Sequence, residues 1–82
     1  MGIHIVFLES GVLVSKKTYA DWREIQEDFS DYKASLGPWK QDEVVEWLEF
    51  EYSNLSPSAS EQIRSLMSSD SESVELAWHD TA

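Results

Sequence analysis

Hydrophobic and polar positions follow three rhythms along this chain. Ile3 to Leu8 is largely apolar and β-branched, Val12 to Val14 repeats that character, and Glu9-Ser10-Gly11 interrupts the two runs. A three-residue connection with glycine last is what a bulged hairpin uses, because glycine enters a left-handed backbone at little cost. The alternative for the same residues is a charged edge offered to a partner. From Tyr19 the period changes: Tyr19, Trp22, Ile25, Phe29, Tyr32 and Leu36 fall three or four apart, which predicts one stripe along a helix. Thr18, with Asp21 three residues on, caps its start, and Gly37-Pro38 ends it.

The stretch "EVVEWLEFEY" fits two periods. As a strand it places Leu48, Phe50 and Tyr52 on one face and Trp47, Glu49 and Glu51 on the other. As a helix it aligns Val44, Leu48, Tyr52 and Leu55, with Asp42, Glu46 and Glu49 roughly opposite. The strict alternation from Leu48 to Tyr52 favours the strand. Ser56-Pro57 then opens a second helix with Ile63, Leu66 and Met67 on its apolar stripe, and "SSDSES" at 68–73 is a polar linker. In "VELAWHD" Val74, Leu76 and Trp78 alternate with polar or small residues, as in a half-buried strand. The sum is a single α+β domain over residues 1–82: a small four-stranded sheet in β-β-α-β-α-β order with two helices on one face. Its open face would carry Trp47, Glu49, Glu51, Glu75 and His79.

Charge changes this picture most. Sixteen acidic residues against six basic give a formal charge of −10, which repels nucleic acid and anionic membranes and attracts basic protein surfaces. With 41% apolar residues, four Trp, three Tyr and three Phe, the chain is too apolar to be a disordered acidic tail. It has no cysteine, no apolar run long enough to span a membrane and no signal-peptide pattern, so a soluble cytoplasmic protein, monomer or homodimer, is expected.

Enzyme chemistry finds little support. The histidines are His4 and His79, no serine sits in a nucleophile-elbow glycine pattern, and glycines at 2, 11 and 37 are too scattered to cradle a phosphate. His4 and His79 could meet on neighbouring strands with Glu75 or Glu9 as metal ligands, but two histidines at no motif spacing read as ordinary surface residues. No catalytic residue, metal or cofactor is therefore expected. Trp39, beside Pro38, either plugs the sheet edge or anchors an interface.

Recognition of a protein remains. Asp21, Glu24, Asp28 and Asp31, with Glu46, Glu49 and Glu51 beyond them, can present negative charge at intervals comparable to phosphates, a pattern that a nucleic-acid-binding groove would attract. The competing reading is a solvated acidic surface that keeps a small protein soluble.

The stretch "IVFLESGVLV" at residues 5–14 resembles the strand by which the phage uracil-DNA glycosylase inhibitor family enters its enzyme's DNA-binding cleft, where apolar residues flank Glu-Ser. The resemblance implies that Glu9 and Ser10 dock at the enzyme's DNA-contacting loops, and that an acidic helix, loosely "DWREIQEDF", adds charge. It also implies a phage-infected or bacterial cell. Gly11 stands where the family has a large aliphatic residue, which keeps the turn reading open. The resulting expectation is a small DNA-mimicking inhibitor of a basic nucleic-acid-binding enzyme, uracil-DNA glycosylase first among them. Glu9, Ser10, Val12, Val14, Asp21, Glu24, Asp28, Trp47, Glu49 and Glu51 are its candidate partner-binding residues. The rivals are an immunity or antitoxin-like protein, an anti-defence protein aimed at a nuclease complex, and a structural interaction subunit.

Overall fold

The first strand expected from the pattern, β1 (Ile3–Leu8), is apolar on both faces, so it belongs in the middle of a sheet with a hydrogen-bonded neighbour on each edge. A computed structural model, which describes residues 2–78, places it there. β2 (Gly11–Ser15) folds back antiparallel on one side, in the register Leu8↔Gly11 to His4↔Ser15. Glu9 and Ser10 are thus a two-residue turn, and Gly11, at φ 155°, begins the second strand instead of ending a three-residue loop. The turn reading of the Glu-Ser-Gly interruption is the one realised.

The other edge of β1 is paired by β3 (Tyr32–Trp39), a segment whose apolar spacing had predicted the end of a long helix. The helix in this region, α1, runs only from Trp22 to Asp28, and its cap is Asp21, not Thr18. Tertiary demand overrides the period here: β1 needs a second neighbour for its backbone groups, and residues 32–39 supply it. β4 (Ser73–Glu75) pairs with β2, so the sheet is antiparallel in the order β3-β1-β2-β4.

Of residues 44–52, all but the extended C-cap Tyr52 lie in a helix, α2 (Gln41–Glu51), not in the favoured strand. Val44 and Leu48, one turn apart, are fully buried against the sheet, and burying this pair outweighs the local strand alternation. α3 (Ala59–Ser68) starts two residues later than Ser56-Pro57 suggested, with Ser58 Oγ accepting from the Glu61 N–H at 3.3 Å. The architecture is therefore α+β around a four-stranded sheet, as expected, with three helices in β-β-α-β-α-α-β order.

The sheet has two covered faces. Ile3, Ile5 and Val14 pack against α2 and α3 through Val44, Leu48, Ala59, Ile63 and Leu66, with Leu76 joining them. On the opposite face Val6 and Leu13 meet Ile25 of α1, flanked by Tyr19, Phe29 and Tyr32. Two helices do share a face, but they are α2 and α3, and the face left open in the sequence reading is capped by α1. The acidic sheet face of Trp47, Glu49, Glu51, Glu75 and His79 does not form: the first three are on a helix, and His79 lies outside the described residues.

Two side chains tie the C-terminal segment to this framework. Buried Gln62 donates through Nε2 to the Pro57 and Ala77 carbonyls at 2.7 and 2.9 Å and accepts from the Ala77 N–H at 2.8 Å. Lys16 Nζ donates to the carbonyls of Leu66 and Ser69 at the end of α3, the terminus where a cation is favourable.

Candidate partner-binding surface

Burial of Val44 and Leu48 sets how α2 is rotated, and that rotation decides which of its side chains reach solvent. At about 100° per residue, Asp42, Glu43, Glu46, Glu49 and Phe50 all fall on the side away from the sheet, and all five are exposed. Phe50 retains 85% of its surface in solvent, the largest exposure among the big apolar side chains described. The helix contains no basic residue, and no ion pair involves it; among the described residues the one ion pair is Lys17–Asp28, on α1.

The same rotation turns Trp47 inward and sideways, half-buried against the edge of the sheet. There it meets Phe7 edge-to-face at 5.9 Å, Trp39 at 6.1 Å and Tyr52 at 6.0 Å between ring centroids, and Tyr52 continues to Trp78 at 4.9 Å. Trp39 reaches this cluster because of an irregularity in β3. Leu36 pairs with Ile5 and Trp39 with Ile3, three residues of one strand against two of the other, a bulge at Gly37–Pro38. Regular alternation would send Trp39 to the α1 face; the extra residue returns it to the face of Leu36 and α2. Gly37 makes this possible, with φ 112° and so close a packing that a Cβ would stand 2.6 Å from the Ile3 carbonyl oxygen.

Trp39, Trp47 and Phe50, with Glu43 and Glu46, consequently line a surface groove of about 380 Å³. The Lys40 N–H donates to Glu43 Oε1 at 3.0 Å, which holds that carboxylate at the helix start. Trp39, at the end of the edge strand β3, thus packs on the core and lines this groove at once. Its role required the bulge to be seen, and Gly37-Pro38 was the signal in the sequence, read there as a helix stop.

The remaining candidate residues are placed differently. Glu9 stands exposed at the hairpin tip. Ser10 is committed to its own chain, its hydroxyl donating to Asp31 Oδ2 at 2.7 Å and its N–H to the same oxygen at 3.2 Å. Val14 is fully buried and Val12 packs against the same core, so neither offers apolar contact to a partner; their faces of β2 look into the α2–α3 layer. Asp21 caps α1 by accepting from the Arg23 N–H at 2.9 Å, and Glu24 accepts from the Ala20 N–H at 2.7 Å. Asp28 accepts from Lys17 Nζ at 2.8 Å and from the Tyr19 hydroxyl at 2.7 Å. Those bonds, the lysine's first, hold the Asp28 carboxyl below its usual pKa, and the Ser10 hydroxyl does the same for Asp31. Glu51 is exposed on the flank of α2 away from the acidic face. Of the ten, only Trp47 lines the groove with Phe50, and Glu49 is exposed on the neighbouring flank of the same outer face, beside Asp42.

His4 is buried on the α1 face, edge-to-face with Tyr19 at 5.3 Å, and burial lowers its pKa. Among the described residues no three His, Cys, Asp or Glu side chains cluster as metal ligands, and no helix is long and apolar enough to cross a membrane. Comparisons with protein-family models, curated proteins and solved structures found no match, so functional inference rests on this geometry.

Proposed function

We propose that this protein is a small acidic inhibitor that occupies the nucleic-acid-binding groove of a basic enzyme, presenting the outer face of α2 where the enzyme would hold a phosphate backbone. The observation that carries this reading is the set of four carboxylates exposed on the outer side of α2, Glu43 and Glu46 beside Phe50 and Asp42 and Glu49 on the neighbouring flank. Asp42, Glu46 and Glu49 succeed one another at intervals of three or four residues, about 4.5–6 Å along the axis. Phosphates of one DNA strand advance by about 3.4 Å each, so the carboxylates form a sparser row of negative charge, roughly two for every three phosphates.

Local energetics explain only half of this arrangement: Asp42 and Glu43 sit in the first turn, where the helix dipole favours them and Glu43 accepts the Lys40 N–H, but Glu46 and Glu49 have no such local use. Like charges three or four residues apart destabilise a helix by about 0.2–0.5 kcal/mol per pair, and Glu49 and Glu51 in the last turn oppose the helix dipole. Glu46 and Glu49, which cost helix stability and make no hydrogen bond or ion pair among the described residues, fit a role in binding. Steering by a charge of −10 would make association fast and salt-sensitive. Glu9 at the hairpin tip can add a peripheral contact.

The test is displacement of fluorescent duplex DNA from basic DNA-processing enzymes, uracil-DNA glycosylase first. Stoichiometric protein is expected to release the DNA and block activity, and the exposed double variant Glu46→Lys/Glu49→Lys is expected to be at least tenfold weaker. Wild-type protein that displaces DNA from no such enzyme, or a charge-reversed variant that competes equally well, would overturn the reading.

A further inference from the structure

We propose that the groove formed by Trp39, Trp47 and Phe50 grips an arginine side chain of the basic partner, with the guanidinium against the aromatic rings and between the carboxylates of Glu43 and Glu46. This deepens the reading of α2 as the partner surface by naming the group it holds.

The groove's chemistry selects the occupant. The Trp39 and Trp47 rings meet at 61°, forming a corner instead of a stacked pair, and Phe50 follows Trp47 by three residues on the same helix. Its volume of about 380 Å³ lies at the small end of ligand-binding pockets, roughly 300–1,000 Å³. A purely apolar occupant would press against two carboxylates and strip their water without replacing it. An anionic occupant would be repelled. A cation satisfies the walls and the rim together, because aromatic faces attract positive charge and carboxylates accept its hydrogen bonds.

Between the two cationic side chains the walls favour arginine. Its planar guanidinium stacks on an indole and still directs N–H groups sideways to two acceptors, whereas a lysine ammonium is compact and more strongly hydrated. Enzymes that bind nucleic acid place arginine where phosphates go, so the group sought by this groove is the one that the proposed target surface supplies.

Two measurements decide the matter. In an NMR titration with a glycine-flanked single-arginine peptide, the indole N–H signals of Trp39 and Trp47 should shift, while that of Trp22, on the α1 face, should not. The isosteric citrulline peptide, which lacks the charge, should leave all three in place. In the DNA-displacement assay, Glu43→Gln/Glu46→Gln should weaken competition at least fivefold more than Asp42→Asn/Glu49→Gln, which removes equal charge from the neighbouring flank. Phe50→Ala removes no charge and no buried contact, and should also weaken competition at least threefold.

Equal losses from the two neutralised pairs, together with an unaffected Phe50→Ala variant, would overturn the arginine groove while leaving the anionic-face reading intact. Indole shifts of the same size with citrulline would overturn it as well. A wild-type protein that displaces no DNA would instead sink the functional reading, and the peptide titration would still decide the groove.

Discussion

Around α1, Asp21, Glu24, Asp28 and Asp31 each accept a hydrogen bond from their own chain, whereas on α2, among the described residues, Glu43 alone does so. Both groups are carboxylates spaced along or beside a short helix, yet the first is tied into the fold and the second, Glu43 apart, is left to solvent. α1 has only seven residues, too few to be stable alone, and the carboxylates in and around it secure its cap, the preceding loop and the β1–β2 turn. α2 has eleven residues, anchored by Val44 and Leu48, and its acids can be spent on display. Negative charge is therefore available to a partner chiefly where the chain has not already used it, and on the outer face of α2 that leaves Asp42, Glu46 and Glu49.

That contrast can be broken most severely from underneath. Leu48→Ala should destabilise the protein by about 2–5 kcal/mol, because it opens a cavity between α2 and the sheet, and thermal or urea unfolding would measure it. Competition for the enzyme should fail in the same variant, since the acidic face loses its footing.

A smaller effect is expected at Asp21. Asp21→Ala removes the α1 cap and should cost about 1 kcal/mol in chemical denaturation. DNA displacement by the folded variant should change by less than twofold; a larger change would show that the α1 acids also face the partner.

Acid titration sharpens the comparison further. Because Asp28 and Asp31 have folded pKa values below the ordinary 3.8, their stabilising contribution is present above that pH and is lost as the pH falls through their lower folded values. An Asp28→Asn/Asp31→Asn variant should melt below wild type at pH 6, and the gap should narrow below about pH 4. His4 acts at higher pH: burial lowers its pKa from 6.5, so its contribution is present above 6.5 and fades on acidification. The advantage of wild type over His4→Phe, read from melting temperatures, should accordingly shrink below that point.

The smallest change in stability carries an unusual sign. Glu46→Gln/Glu49→Gln removes like-charge pairs and a carboxylate at the unfavourable end of α2, and should raise stability by about 0.5–1 kcal/mol while weakening competition for the enzyme. Stabilisation coupled to lost binding is the signature of a surface maintained for a partner.

The sequence by itself determined the hairpin, the α+β class, the Ile63 and Leu66 part of the α3 stripe and the strongly anionic character, because these follow from local periods, turn residues and counted charges; the count of four strands agrees although the sequence pattern puts the third at 44–52 instead of 32–39, and Met67 of the expected stripe is exposed. It did not determine that residues 32–39 are a strand or that 44–51 are a helix, since the helical spacing from Tyr19 runs on through Tyr32 and Leu36, the second segment satisfies two periods, and only long-range pairing with β1 and burial of Val44 and Leu48 decide them. The candidate surface follows from that choice: the sense of rotation of α2 turns Asp42, Glu43, Glu46 and Glu49 outward with Phe50, and the Gly37–Pro38 bulge swings Trp39 beside Trp47. Which face a side chain joins depends on register and helix rotation, and both are set by contacts between residues far apart in the chain.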